Sequence, residues 1–386
     1  MMGAYPLCYA KALARLVARN RAVWIAIGIL AIAFCAFLLY PMRTGFIVET
    51  FQAALDSVHQ SQVRNTGAPE YIQEEEQLVA SQLEDVITNF GTDKFAASVA
   101  TYYQTVSEIM EKAFEEGRTD STADGILHGK GTARLYTQIA QLPDPVFYDR
   151  SPDFPLTYYF LYMLSGLPFF IWYIPLFIIA GVCARERQDG KLLSHVPIGQ
   201  VGLIVSLFIL IFTLSLVCVF ISWVPAALWT LFNNGFGDPS YPVSFLTNGE
   251  LFSLTVGRAL LEWIAVFAAE SALLSLIAAT CLSFNISKAA QAIVLVFLAL
   301  PFIPGYLTGT IPQFLLKYLP STFLDEARFT GIPGSAVCII ESGPGCTFET
   351  GLATILGWLA ATVALTALIC GVSTFLRIAR TGGRHA

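Results

Sequence analysis

The chain has 386 residues, of which 55% are hydrophobic and only 13% charged, and its mean hydropathy is +0.63. A water-soluble globule carries about 25% charged residues, so composition excludes an ordinary soluble enzyme and points to a membrane. The net charge is −6, and the sequence holds no basic nucleic-acid-binding patch.

A helix needs about 20 mostly apolar residues to cross the hydrocarbon core. Six runs qualify: 22–41, 156–183, 200–232, 251–283, 289–310 and 350–376. They are long and continuous, which favours helices over the short alternating strands of a barrel. The expected fold is therefore an all-α integral membrane protein with six transmembrane helices. Both termini are expected in the cytoplasm, with a helical extracellular domain between spans one and two.

Residues 1–21 precede the first run. Tyr9, Leu13, Leu16 and Val17 recur at helical spacing opposite Lys11, Arg15 and Arg19, the pattern of a cytoplasmic helix lying on the membrane. The first run, 22–41, ends at Tyr40 with no small-residue cleavage site after it, so it is expected to stay as a span.

Residues 42–155 are long enough for a small domain and hold most of the acidic residues. "YIQEEEQLVASQLEDVITNF" puts Ile72, Leu78, Val79, Leu83, Val86 and Ile87 near one helical face. "KFAASVATYYQTVSEIMEKAF" does the same with Phe95, Val99, Tyr102, Val106, Ile109 and Met110. Breaks are expected at Gly67-Ala68-Pro69, at Gly91-Thr92-Asp93 and across "EEGRTDSTADG". A proline-rich connector, "LPDPVFYDRSPDFP", leads back to the bilayer.

The transmembrane domain, 156–376, opens with an aromatic run containing Pro168 and Pro175, and its fifth run ends in "LPFIPGYLTG" with Pro301 and Pro304. Proline frees carbonyls and kinks a span, so these four positions are candidates for a pathway or gate. The fourth run holds Arg258, Glu262 and Glu270. The first two are spaced to pair along one face, whereas Glu270 stands alone near mid-membrane. Such a carboxylate is either functional or a packing lock. Residues 311–349 are apolar but interrupted, as a segment dipping into the outer leaflet would be. Within them Cys338 and Cys346 flank a Gly343-Pro344-Gly345 turn. A disulfide fits an oxidising exterior, and metal binding is the weaker reading because no histidine accompanies the pair.

The basic residues set the orientation. They occupy the N-terminal arm, the 184–199 loop (Arg185, Arg187, Lys191), the 284–288 link (Lys288) and the 377–386 tail, while 233–250 has neither Lys nor Arg. No catalytic constellation is present. The four histidines are scattered, and "GILHGKGT" is one residue short of a phosphate-binding loop, so the chain is expected not to be an enzyme and to need no cofactor of its own.

The loop "ARERQDGKLLSHVPIG" sets Glu186, Gly190, Leu192, Leu193 and Pro197 in order before the third run. That series resembles the first cytoplasmic loop of type-2 ABC exporter permeases, and the six-span layout with a large outside domain matches the same family. The resemblance implies a coupling helix from Glu186 to Pro197, with Arg185 beside it, docking into a separate ATP-binding subunit. ATP and magnesium would belong to that partner, with the N-terminal helix as a brace. A second copy or a sister permease would complete the pathway in a bacterial-type cell membrane, and an extracellular partner is open. The chain departs from the family in Gln200, where a lysine is often found, and in Ser194-His195 before the proline. Two other readings stand beside it: an ion-coupled secondary transporter using Glu262 and Glu270, and a membrane-anchored receptor or immunity protein acting through its outside domain.

Overall fold

A computed structural model describes residues 4–39, 48–118, 123–146, 148, 151–167, 170–188, 198–247, 250–284, 318–323, 338–340 and 347–382. The described chain is mostly helical. In order come α1 (Ala4–Arg19), α2 (Arg21–Leu39), α3 (Val48–Arg64), α4 (Glu70–Thr88), α5 (Phe95–Glu115) and α6 (Ala123–Ala140). Then follow α7 (Leu156–Gly166), α8 (Phe170–Gln188), α9 (Gln200–Asn234), β1 (Pro242–Thr247), β2 (Glu250–Thr255) and α10 (Val256–Ser283). β3 (Cys338–Ile340) and α11 (Phe348–Gly382) complete the described elements.

Three helices, α9, α10 and α11, are long and apolar enough to cross a membrane. α1 and α2 make a fourth candidate if their pair, bent by 64°, is one span. The fifth predicted run, 289–310, lies outside the described residues.

The bundle of α3 to α6 follows its sequence pattern closely. α4 and α5 fill the two predicted stretches, and Leu83, Val86 and Val99 are fully buried. Leu78, expected on the same face, is instead exposed, because the inward face of α4 is spaced as Ala80, Leu83 and Val86. Phe95 is the hub, with edge-to-face contacts to Phe51 at 6.3 Å, Phe90 at 5.2 Å and Tyr136 at 6.5 Å between ring centres. α5 ends in a Schellman turn: Gly117 has φ +67°, its N–H reaches the Phe114 carbonyl, and the Arg118 N–H reaches that of Ala113. The turn aims Arg118 back at α4, where it pairs with Glu75 at 3.3 Å and lies 4.9 Å over the Tyr71 ring.

The second predicted span is two helices. Leu167 is extended (φ −89°, ψ 140°) between α7 and α8, as the residue before a proline must be to avoid the ring. Pro168 itself lies outside the described residues, while Pro175 stands inside α8, which continues through it.

The expected all-α fold is corrected by a three-stranded sheet of order β2-β1-β3. β1 pairs antiparallel with β2, and its far side pairs in parallel with β3, with Phe245 opposite Cys338. The fourth span therefore starts at Val256, later than the predicted 251, because residues 250–255 are a strand. Thr255 makes the switch: its side chain caps α10 by accepting from the Arg258 N–H at 3.3 Å.

A knot of backbone bonds gathers the ends of α7, α9 and α10 beneath this sheet. Leu156 and Thr157 donate to the carbonyls of Gly235 and Phe236, both at 3.1 Å. Val256 and Gly257 donate to those of Tyr241 and Pro239, both at 2.8 Å. Gly237 has φ +84°, and a Cβ there would come within 2.6 Å of Pro155, so only glycine fits. The sheet in turn touches the bundle, where the Ser253 hydroxyl donates to the Gln138 side chain at 2.7 Å.

Candidate functional site

α10 carries the acidic residues into the fold, and its capped start fixes their depth. Glu262 is buried and accepts from Arg258 Nε at 2.7 Å, four residues earlier on the same face, as predicted. Arg258 is largely exposed, so the pair ties a buried carboxylate to the outer end of the helix. Two turns on, about 12 Å along the axis, Glu270 is wholly buried. Neither of its oxygens has a hydrogen-bond partner among the described residues. Ser271 and Ser275 are buried beside it on α10, and Ser275 Oγ is likewise unpartnered. A carboxyl group in such a place has to be answered by a proton, a cation or a neighbour.

Three tryptophans, one from each of α8, α9 and α10, meet on the neighbouring face. Trp172, Trp223 and Trp263 have ring centres 5.3–6.0 Å apart. Phe34 of α2 stacks on Trp172 at 4.9 Å, and Phe267 on Trp263 at 4.8 Å. None of the three indole N–H groups has a partner among the described residues. Sequence reasoning missed this cluster. Its signal was tryptophan in mid-run, away from the interfacial belts where spans usually carry it.

The predicted coupling residues are reached only in part. Arg185 is exposed and Glu186 half-buried in the last turns of α8. Gly190, Leu192, Leu193 and Pro197 lie outside the described residues, as do Pro301, Pro304 and Cys346. Cys338 is in β3, and its pairing with Cys346 stays open. Beyond the loop, Gly199 caps α9 and Gln200, the first helical residue, donates to the Ser283 carbonyl at the end of α10 at 3.3 Å. The departure noted at position 200 therefore has a structural use: it ties α9 to α10.

Among the described residues no group of three or more His, Cys, Asp or Glu could hold a metal ion. No family model, curated protein or solved structure matches the chain.

Proposed function

We propose that the chain is the membrane-spanning permease subunit of an ATP-driven ABC transporter, an exporter with six spans and both termini in the cytoplasm of a bacterial-type cell. It is coupled to a separate ATP-binding subunit through the 184–199 loop, and ATP and magnesium belong to that partner. A second permease copy or a sister chain closes the pathway. The observation that carries this reading is the sequence that leads from α8 to α9: Glu186 in the last turns of α8, where a loop from 184 was expected, then the glycine, leucine pair and proline of the sequence before α9. Gln200 adds the onward link: a push on the loop displaces the start of α9 and, through Ser283, the end of α10. α10 bears the buried carboxylates, so movement of the loop reaches the residues most suited to line or gate a path.

The test is purification of tagged protein from its native host in mild detergent, with mass spectrometry of what accompanies it, beside a Glu186→Ala, Gly190→Pro variant. An ATP-binding subunit in roughly equal amount, lost from the variant, is expected. Folded protein that brings no ATPase would end the proposal.

One observation favours a second reading, ion-coupled transport: the unpartnered carboxyl group of Glu270. Under that reading Glu270→Gln abolishes transport while the ATPase subunit is irrelevant to it; under the first, transport stops when that subunit is removed.

A further inference from the structure

The start of the chain, which the family resemblance makes a brace for the ATP-binding subunit, also carries a run of unopposed positive charge. No acidic residue precedes Glu49, while Lys11, Arg15 and Arg19 follow one another at four-residue spacing on α1. All three are exposed, and none has a carboxylate partner among the described residues. The opposite face, Tyr9, Leu13 and Val17, is buried as α1 packs on α8 and α9. Leu16, predicted to share that apolar face, is partly exposed instead.

α1 meets α2 at a bend of 64°, and its three cations stand about 6 Å apart along the helix axis, on the face turned away from α8 and α9. Just past the bend, α2 exposes an apolar row of Ile25, Ile29 and Ile32.

A row of exposed, unpaired cations continued past the bend by a bare aliphatic row has the chemistry that suits one kind of molecule. We propose that the elbow of α1 and α2 binds an anionic glycerophospholipid, its phosphate held by Lys11, Arg15 and Arg19 and its acyl chains lying along Ile25, Ile29 and Ile32. Cations near an anionic surface attract it, and the amphipathic setting of α1 holds them in place.

Native mass spectrometry of the purified full-length protein, offered phosphatidylglycerol or phosphatidylcholine with identical chains, tests this. Preferential retention of phosphatidylglycerol is expected, falling about fivefold for each charge removed in Lys11→Gln, Arg15→Gln and Arg19→Gln. The charge-preserving Lys11→Arg, Arg15→Lys, Arg19→Lys variant should keep it. Equal retention of the two lipids by the wild type would overturn the site. So would a neutralised variant that keeps its phosphatidylglycerol, even if it loses a protein partner, because the row would then be a protein-docking face. Should the triple variant fail to insert, Arg15→Gln alone is read against the same fivefold expectation.

Discussion

The bundle of α3–α6 and the apolar helices α7–α10 share one continuous apolar core, yet they use polar groups differently. In the bundle polar side chains latch one helix to the next, with Glu76 Oε2 and His128 Nδ1 left unpartnered among the described residues. Glu76 Oε1 accepts from Ser61 at 2.6 Å and Asn65 at 2.7 Å, closing α3 on α4, and Lys130 reaches Glu111 at 2.6 Å between α6 and α5. In the apolar helices, several serine and threonine hydroxyls turn back on their own helix, as Ser215 does to Phe212 and Thr230 to Ala226. Three indoles and Glu270 are left without partners among the described residues. Water drives the bundle together, so its polar groups serve as latches. Lipid tails are as apolar as leucine, so the spans hold by packing, and a stranded polar group there is an expense without structural return.

That contrast can be broken first with leucines. Leu83→Ala in the bundle should destabilise it by about 3 kcal/mol, since both transfer and cavity terms act. Leu207→Ala, equally buried in α9, should cost only about 1–2 kcal/mol, because lipid replaces water in the reference state. Local hydrogen exchange of the full chain in lipid nanodiscs measures both, and equal losses would refute the distinction. Next comes Glu270. Replacing it with leucine should raise thermal stability by about 1–3 kcal/mol, as when buried polar groups give way to apolar ones of similar size. A drop in melting temperature would show that the carboxyl group has a structural partner. The matching cut in the bundle, Ser61→Ala, should lower stability by about 1 kcal/mol, and an unchanged melt would mean that Glu76 is satisfied by solvent.

The smallest effect expected is that of pH. Burial holds the His128 imidazole of α6 below its ordinary value of 6.5, and its Nδ1 is unpartnered among the described residues. The unfolded chain then binds the proton more readily than the folded one. Bundle stability from this group is present above about pH 6.5 and declines as pH falls below it. Opening free energies of α6 from hydrogen exchange, corrected for the intrinsic pH dependence of amide exchange, should fall from about pH 7.5 to 5.5 in the wild type and stay flatter in His128→Gln.

The helices of the bundle were legible because both α4 and α5 bury one face against neighbours of the same kind. The breaks around Gly67 and Gly91 appear where turn chemistry placed them. The sheet was not legible. "PVSFLT" and "ELFSLT" sit in and beside apolar runs, and the partner of β1 on one side, β3, comes from about ninety residues away. Hydropathy alone makes 251–255 the start of a span, since hydropathy does not sense strand pairing with β1. The pairing of Arg258 with Glu262 was legible, being local to one helix. The tryptophan cluster was not, because each ring belongs to a different helix and only their packing brings the three together.

Composition and periodicity by themselves determined that this is a mostly helical membrane protein with an acidic helical domain beside its spans. Those properties depend on transfer free energy and on contacts within a few turns. Tertiary structure alone decided which polar groups find partners, where α10 begins, how Gln200 joins α9 to α10 and that the basic face of α1 is left exposed. Each of these depends on the relative register of segments far apart in the chain, and register is set by side chains packing against one another, which no single segment encodes.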